Sequence, residues 1–228
     1  MYDLSIIIPI IDEFDSLKKT YNIVNSIGRD KKEFLVIMSK KKTPKIIKKK
    51  LNKLSSKLNN LKIYYQKAPF VGGAIKTGIK KASKSHIVIM ASDMETNPYD
   101  LKKMILLSKK NPNKIICADR WKKGGKIYKY GKLKKLMNFI FQKTLSFILK
   151  VNLSDFTFAY RIYPKNALKK FKFKENRFSF ALEMLLKPMK HGYKILSTPA
   201  TWSPRTEGKS QITFLDYLHY FKVLYRIK

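Results

Sequence analysis

The sequence has very little cysteine and no long apolar run. Cys117 is its single cysteine, so no internal disulfide bond can form, and a reducing, cytoplasmic compartment is the expectation. The longest apolar runs, such as residues 4–11 and 87–91, have the length of strands, whereas a helix that crosses a bilayer needs about 20 apolar residues. The N-terminus also lacks the basic, apolar and small-residue regions of a signal peptide. We therefore predict neither a transmembrane helix nor a signal peptide.

Acidic residues and arginine are scarce too. Fifteen Asp and Glu residues stand against 50 Lys and Arg residues, which gives a formal net charge of +35. This charge is consistent with binding to nucleic acid, with attachment to an anionic membrane surface, or with a lysine-rich composition of the whole chain. The sequence has no helix-turn-helix, zinc-finger or aromatic RNA-binding signature, so we expect no nucleic-acid partner. The arginines are Arg29, Arg120, Arg161, Arg177, Arg205 and Arg226.

Apolar residues are plentiful, at 44% of the chain, which is enough for a buried core. The first half alternates short apolar runs with amphipathic stretches. Strands are predicted at 4–10, 34–38, 61–65, 87–90 and 115–118, and helices at 14–27, 44–58, 73–82 and 98–109. This alternation predicts an α/β fold with an open, mostly parallel sheet flanked by helices. In such sheets ligands bind at the carboxyl ends of the strands.

The second half has more aromatic residues and fewer strands. Helices are predicted at 133–150, 178–187 and 214–227, and strands at 156–163 and 193–197. No Gly/Ser-rich linker separates the two halves, so we predict a single domain over residues 1–228, made of an N-terminal half (1–118) and a C-terminal half (119–228).

Two acidic segments follow predicted strands. Asp12 and Glu13 follow the first strand, and on this pair alone a helix cap by Asp12 or Asp15 is the favoured interpretation. Asp93 and Glu95 follow the fourth strand at a spacing of i, i+2, so both side chains can face one way in an extended segment. Two carboxylates there suit Mg²⁺ or Mn²⁺. The alternative is a turn in which Asn97 and Asp93 bond nearby amides.

Paired glycines form a third candidate segment. Gly72 and Gly73 precede a predicted helix, where the absence of side chains lets the backbone approach a phosphate or a nucleotide base. An ordinary turn explains the same pair equally well.

Taken together, seven segments in order resemble glycosyltransferase family 2, and within it the dolichol-phosphate mannose synthase-like and polyprenyl-phosphate glycosyltransferase-like members. The segments are residues 9–13, 70–78, 91–98, 119–125, 155–161, 180–183 with 192–195, and 205–210. The resemblance implies a GT-A fold, a nucleotide-sugar donor bound by the N-terminal half, an acceptor half and a divalent metal. It implies that Asp93 binds the metal and that Glu95 assists. The donor-binding residues that it implies are Pro9, Ile11, Glu13, Gly72, Gly73, Asp93 and Arg205.

The sequence departs from the family pattern at four places. Met38 and Ser39 replace the acidic pair after the second strand, and Ala91 replaces the first Asp of the metal segment. Ile11 stands where the family has Tyr, and Gln211 where it often has Lys. These departures motivate a second hypothesis, a catalytically inactive family member that binds nucleotide or lipid.

Rare arginines fall inside the matched segments. A guanidinium binds phosphate in a bidentate manner that lysine cannot copy, so Arg120 and Arg205 are predicted to contact phosphates. Arg161 follows a run of aromatic residues and is predicted to be structural. For an inverting transfer to a hydroxyl, a carboxylate must accept the proton, and Asp155 and Glu183 are the candidates. A phosphate acceptor needs no base.

Two amphipathic helices bear on the acceptor. The helix at 133–150 and the terminal segment combine aromatic and aliphatic residues with Lys or Arg, as do helices that lie among lipid headgroups. The apolar residues of the terminal segment are Phe214, Leu215, Leu218, Phe221, Val223, Leu224 and Tyr225. We expect peripheral attachment to the inner face of the cell membrane and a lipid-phosphate or saccharide acceptor. The alternative is that both apolar faces pack on the domain itself.

Overall fold

Strands and helices alternate along most of the chain. The structure, a computed structural model, describes residues 2–208 and 214–227. The elements of the first half are β1 (Leu4–Ile10), α1 (Phe14–Ser26), β2 (Lys32–Met38), α2 (Lys45–Ser55), β3 (Leu61–Tyr65), α3 (Phe70–Lys81), β4 (His86–Ile89), α4 (Asp100–Lys110) and β5 (Ile115–Asp119). The elements of the second half are β6 (Lys126–Ile127), α5 (Lys132–Leu149), β7 (Arg161–Pro164), α6 (Asn166–Lys169), α7 (Phe180–Lys190), β8 (Ile195–Pro199), β9 (Thr201–Trp202) and α8 (Phe214–Ile227). Gln211 lies outside the described residues.

In the described part of the chain, seven strands form one sheet in the order β3-β2-β1-β4-β7-β5-β8. The pairs β1–β2, β2–β3, β1–β4 and β5–β8 are parallel. β7 runs antiparallel to both of its neighbours, β4 and β5. The predicted α/β fold with a mostly parallel sheet is confirmed. The carboxyl ends of β1 and β4 lie side by side, which brings the segments after these two strands together.

Side chains from the two faces of the sheet enter two separate cores. Successive residues of β1 alternate between them, with Ile6 and Ile8 in one core and Ile7 in the other, as the strand period requires. Helices α1, α2 and α4 cover the first face, whereas α3, α5, α7 and α8 cover the second. The fold is therefore a three-layer arrangement with helices on both faces.

One predicted strand is much shorter than expected. The pattern at 156–163 predicts a strand, but β7 begins at Arg161. Before β7, backbone N–H groups form hydrogen bonds with side chains: that of Phe156 donates to the Gln142 side chain, and that of Phe158 donates to the Asp155 side chain. Because these N–H groups already have partners, they do not pair with a neighbouring strand.

The helices of the described residues include none that is long and apolar enough to cross a membrane. The α5 helix has 18 residues and carries several lysines along its apolar side chains.

Candidate functional site

The segments that follow β1 and β4 are bonded to each other. The Ser92 hydroxyl donates to the Pro9 carbonyl at 3.0 Å. After β1, the carboxylate of Glu13 accepts the N–H groups of Ile11 and Asp12 at 2.9 and 3.1 Å. Glu13 is buried, and its two hydrogen bonds to backbone N–H groups hold the loop after β1 in its conformation. The structure thus brings Pro9, Ile11 and Glu13 to the edge of the sheet where the ligand was predicted.

Asp93 and Glu95 converge on one cation. The Nη2 atom of Arg205 lies 3.2 Å from Oδ2 of Asp93 and 2.8 Å from Oε1 of Glu95. The intervening Met94 has a φ of 64°, in the left-handed region that few non-glycine residues adopt. The segment is therefore a turn and not the extended segment that was predicted: the Glu95 N–H donates to Asp93 at 3.0 Å and the Tyr99 N–H donates to Asn97 at 3.1 Å. The turn lets both carboxylates face Arg205.

Burial, which is the largest cause, and the charge of the neighbouring Glu95 together raise the pKa of Asp93 to about 6. The charge of Glu13 acts in the same direction, whereas Arg205 lowers the pKa. Asp93, Glu95 and Glu13 therefore make this place electrostatically negative, which favours a bound cation.

The chemistry of this pair fits a divalent metal. A single nitrogen atom of Arg205 already contacts both carboxylates, so one cation position serves Asp93 and Glu95 together. Among the described residues no group of three or more His, Cys, Asp or Glu side chains could hold a metal. Mg²⁺ characteristically takes one or two carboxylates from protein and its other ligands from water and phosphates.

The cap of α1 is a correction to the sequence analysis. Neither Asp12 nor Asp15 caps this helix, because no side chain of its own first turn bonds its N–H groups. The N–H of Ser16 instead donates to the carboxylate of Glu207 at 2.9 Å. Glu207 is 191 residues away in sequence, so local pattern alone does not reveal this partner.

The paired glycines are explained by contacts within the protein. The Gly72 N–H donates to the Asn176 carbonyl at 2.7 Å, and a Cβ at Gly72 would lie 2.7 Å from the same oxygen. A Cβ at Gly73 would collide with the carbonyl of Ala68. Their predicted role in donor binding stays a prediction, and the N–H of Gly72 already has an internal acceptor.

Arg120 and Asp155 form a bidentate ion pair. Nε and Nη2 of Arg120 lie 2.6 and 2.9 Å from the two carboxylate oxygens of Asp155. The guanidinium also lies over the ring of Phe158, 4.5 Å from its centroid. Asp155 is fully buried and also accepts the Phe158 N–H at 3.2 Å. Two predicted site residues are therefore partners of each other.

Glu183 lies in a second cluster, between α7 and α8. It is fully buried and accepts the N–H groups of Lys174 and Glu175. It also pairs with Lys187 at 2.8 Å and with Arg226 at 2.9 Å. The structure does not bring Glu183 into contact with Asp93 or Glu95.

Arg161 is structural, as predicted. It is fully buried and donates to the carbonyls of Ala181 and Phe156, each at 2.6 Å.

Three residues of the site were missed by the sequence analysis. Ser92 connects the two loops, and Thr206 and Glu207 connect the Arg205 segment to the rest of the site. The Thr206 N–H donates to the Asp93 carbonyl at 3.2 Å, and the Thr206 hydroxyl lies 3.0 Å from that of Ser16. Their place in the sequence could have indicated these residues, because all three lie inside segments that match the family pattern.

Comparison with known proteins gives one family and one fold. A family model described as glycosyl transferase family 2 matches residues 5–172. A curated relative, the dolichol-phosphate mannosyltransferase of Pyrococcus furiosus, is 24% identical over 226 residues, which is 98% of this chain and 63% of the relative. The chain thus spans less than two thirds of the length of that relative.

Solved structures share the architecture at low identity. Glucosyl-3-phosphoglycerate synthase from Mycobacterium tuberculosis, in complex with Mn²⁺, UDP and phosphoglyceric acid, has a TM-score of 0.71 at 12% identity, covering 99% of this chain and 78% of that one. Its complex with Mg²⁺ and UDP has a TM-score of 0.70 at 12% identity, covering 99% and 79%. A structure described as a mycobacterial protein has a TM-score of 0.75 at 10% identity, covering 99% and 74%. The likeness shows the GT-A fold.

Proposed function

The chain belongs to glycosyltransferase family 2, and from that premise we propose that it transfers a sugar from a nucleotide-diphosphate sugar to a phosphate acceptor, with inversion at the sugar carbon. The observation that carries the proposal is the convergence of Asp93 and Glu95 on one cation position at the carboxyl edge of the sheet. The names of similar proteins support it, since they include a dolichol-phosphate mannosyltransferase and a synthase bound to UDP.

Asp93 and Glu95 would hold a divalent metal, Mg²⁺ or Mn²⁺. The bound metal supplies a positive charge that stabilises the departing diphosphate. Arg205 is within reach of the same place and would bind the phosphates of the donor through its planar guanidinium. Glu13, whose charge acts on Asp93, would keep the loop after β1 in shape for the donor.

The state of the two candidate bases favours a phosphate acceptor. Asp155 is paired with Arg120, and Glu183 is paired with Lys187 and Arg226. Both carboxylates are fully buried. A hydroxyl acceptor requires a free base within hydrogen-bond reach, whereas a phosphate is already an anion. A lipid phosphate is the acceptor that we propose, with a saccharide as the alternative.

Donor binding tests the core of this proposal. UDP- and GDP-sugars should raise the melting temperature of the protein in the presence of Mn²⁺, because a ligand that binds only the folded state stabilises it. Asp93→Asn should abolish this shift, and Asp15→Asn, which removes an exposed carboxylate nearby, should keep it. Equal donor shifts in the Asp93→Asn variant and the parent would contradict the assignment. Donor binding without hydrolysis or transfer would instead support the inactive-member hypothesis.

An exposed apolar face supports the membrane part of the proposal. Helices α5 and α8 are adjacent, since the ring of Phe141 contacts those of Tyr220 and Phe221. We name the exposed side of this pair the α5/α8 face. Its apolar members are Leu133, Leu136, Met137, Phe139, Ile140, Phe147, Ile148, Leu218, Phe221 and Tyr225. The side chains of Phe214 and Leu215 lie outside the described part of the chain.

Lysines accompany these apolar side chains. Lys132, Lys134 and Lys135 are exposed at the start of α5, where they would meet anionic headgroups. The opposite side of α8 is core, because Tyr220, Val223 and Ile227 are buried. One side of α8 therefore packs on the domain, and its other side is exposed. We propose that the protein lies peripherally on the inner face of the cell membrane through the α5/α8 face.

Two sets of lysine substitutions distinguish binding through the α5/α8 face from attraction by the overall positive charge. Changing Lys132, Lys134 and Lys135 to Gln should weaken binding to anionic vesicles by about 100-fold, at roughly 1 kcal/mol per basic group. The matched control changes Lys45, Lys49 and Lys53 to Gln on α2, which covers the other face of the sheet. Equal losses in both variants would show that net charge alone drives binding and would overturn the proposed orientation.

A second pair of variants tests the apolar side chains of the α5/α8 face. Phe147 is 85% exposed on α5, and Ile46 is 60% exposed on α2. Phe147→Gln should reduce vesicle binding at high salt, whereas Ile46→Gln should not. No difference between the two would mean that the α5/α8 face does not insert.

A further inference from the structure

Segment 205–208 joins the two halves of the candidate site. Arg205 contacts Asp93 and Glu95, and the Thr206 N–H donates to the Asp93 carbonyl. Gly208 has a φ of +78°, and a Cβ there would lie 2.8 Å from Oε1 of Glu13. A segment of four residues therefore contacts the loops after β1 and β4 together, and only Arg205 of these four has an assigned role.

Glu207 anchors this segment to α1. Its carboxylate accepts the N–H of Ser16 at 2.9 Å, in the first turn of a helix that has no side-chain cap of its own. An uncapped helix start leaves N–H groups without partners, and a carboxylate there also meets the positive end of the helix dipole. The hydroxyls of Thr206 and Ser16, 3.0 Å apart, strengthen the same anchor.

The anchor fixes where Arg205 can reach. Only Thr206 separates Arg205 from Glu207 along the chain, so holding Glu207 on Ser16 keeps the guanidinium over the acidic pair. Asp93 and Glu95 carry two negative charges and Arg205 carries one positive charge. A divalent cation at this pair and the Arg205 guanidinium would use the same carboxylate oxygens.

We propose that Glu207 is a positioning residue that holds Arg205 on the Asp93–Glu95 pair before metal binds and keeps it beside the donor phosphates when the carboxylates bind metal. This inference rests on the proposed function. Arg205 then has alternative partners, the carboxylates before metal binds and phosphate oxygens afterwards, while the contact of Glu207 with Ser16 stays the same.

Removing the Glu207 carboxylate should change two affinities, those for Mn²⁺ and for UDP, in opposite directions. Without Glu207, Arg205 holds the carboxylates less firmly, so Mn²⁺ should bind the donor-free protein about three- to tenfold more tightly. With Mn²⁺ present, UDP should bind about three- to tenfold more weakly, because Arg205 is no longer kept beside the phosphates. A substitution that merely loosens the site would weaken both.

The experiment measures Mn²⁺ binding by electron paramagnetic resonance and UDP binding by calorimetry. The variants are Glu207→Ala, Arg205→Gln, their double variant, and Glu207→Gln, whose amide oxygen can still accept the Ser16 N–H. Asp15→Ala is the matched control, because it removes an exposed carboxylate from the same turn of α1. Circular dichroism verifies that each variant is folded.

We expect Glu207→Ala and Arg205→Gln each to tighten Mn²⁺ binding, the double variant to match Arg205→Gln alone, and Glu207→Gln to restore most of the parent behaviour. Asp15→Ala should leave Mn²⁺ binding unchanged or slightly weaker. If Glu207→Ala behaves like Asp15→Ala while Asp93→Asn abolishes Mn²⁺ binding, the positioning role is overturned and the proposed function stands. If the parent binds no Mn²⁺ even with UDP, both fall.

Discussion

Arg120 and Asp155 neutralise each other in the interior. Arg120 follows the end of β5, and Asp155 is fully buried with both oxygens accepting from the guanidinium. A buried carboxylate that loses its partner is costly, because nothing replaces the lost solvation. The pair therefore has a structural task whatever its part in transfer, and stability measurements separate the two.

Substitutions of Arg120 should lower the free energy of unfolding in graded steps. Arg120→Lys keeps the charge but loses the bidentate geometry, and should cost about 1–3 kcal/mol. Arg120→Met leaves Asp155 unpaired and should cost about 3–5 kcal/mol. Urea denaturation measures both, with the exposed Arg29→Lys as control. Two variants as stable as the parent would mean that the ion pair contributes nothing to folding.

The glycines of α3 give a second prediction at this scale. Gly72→Ala and Gly73→Ala place a Cβ against the carbonyls of Asn176 and Ala68, so each should lower the free energy of unfolding by about 1–3 kcal/mol through overpacking. Gly131→Ala is the control, since its Cβ would meet no atom within 4 Å. The measurement is thermal or urea denaturation. Unchanged stability in the two α3 variants would show that these backbone contacts do not require glycine, and ligand binding would then be the remaining explanation for the pair.

Residues whose partners are near in sequence could be predicted. The nearness of Asp93 and Glu95 was predictable from their spacing, but they face Arg205 through a turn at Met94 and not from the extended segment that was predicted. The cap of α1 could not be predicted, because Glu207 is 191 residues from Ser16. The packing of Gly72 against Asn176 was equally hidden, since only the folded chain brings these two backbones together.

At the scale of elements, α8 is attached to the domain by charge as well as by apolar contact. Arg226 donates to Glu175 at 3.0 Å and to Glu183 at 2.9 Å. Burial alone would raise the pKa of Glu175, but its hydrogen bonds from Ser179 and Arg226 outweigh burial and lower the pKa. A group with a lowered folded pKa stabilises the protein above its unfolded pKa and loses this contribution as the pH falls.

Arg226→Met should therefore destabilise the protein in a pH-dependent way. At neutral pH we expect a loss of about 1.5–3 kcal/mol, the range for hydrogen bonds to charged groups. The difference from the parent should shrink as the pH falls below the ordinary value of 4.5 for Glu175, because the protonated carboxyl no longer needs the guanidinium. Urea denaturation between pH 7 and pH 3 measures this, with exposed Lys222→Met as control. A difference that does not vary with pH would contradict the role of Glu175.

The elements also show where a pattern fails. The alternation at 156–163 predicted one long strand, yet the observed strand runs only from Arg161 to Pro164. Buried aromatic side chains such as Phe156 and Tyr160 follow the same alternation without being in a strand. β1, β2 and β4 were predictable because each contains a continuous run of buried apolar residues, and such runs need no knowledge of distant partners.

At the scale of the whole molecule, positive charge is spread over the surface. Between Glu33 and Asp93 the chain has 15 lysines and no acidic residue. Such a surface attracts any polyanion, so charge by itself identifies no single partner. The α5/α8 face adds apolar side chains to the charge, and this combination distinguishes a membrane surface from a soluble polyanion.

Binding of the parent to anionic vesicles should weaken with added salt but not vanish. Salt screens the attraction of lysines for headgroups over a Debye length of about 10 Å at 0.1 M, whereas apolar insertion is not screened. Cosedimentation between low and high salt measures the remainder. Soluble heparin is the control, and its binding should disappear at high salt. Loss of vesicle binding in parallel with heparin binding would leave only charge as the cause.

The position of β5 in the sheet has a consequence for synthesis on the ribosome. β5 belongs to the first half of the chain, but its neighbours, β7 and β8, are made later. When residue 119 has emerged, β1 to β4 can pair with one another, while β5 has no partner strand. At about 5–20 residues per second, several seconds pass before Arg161–Pro164 follows. During that interval an apolar strand edge is exposed on the nascent chain, so chaperones that bind extended apolar segments would find their target there.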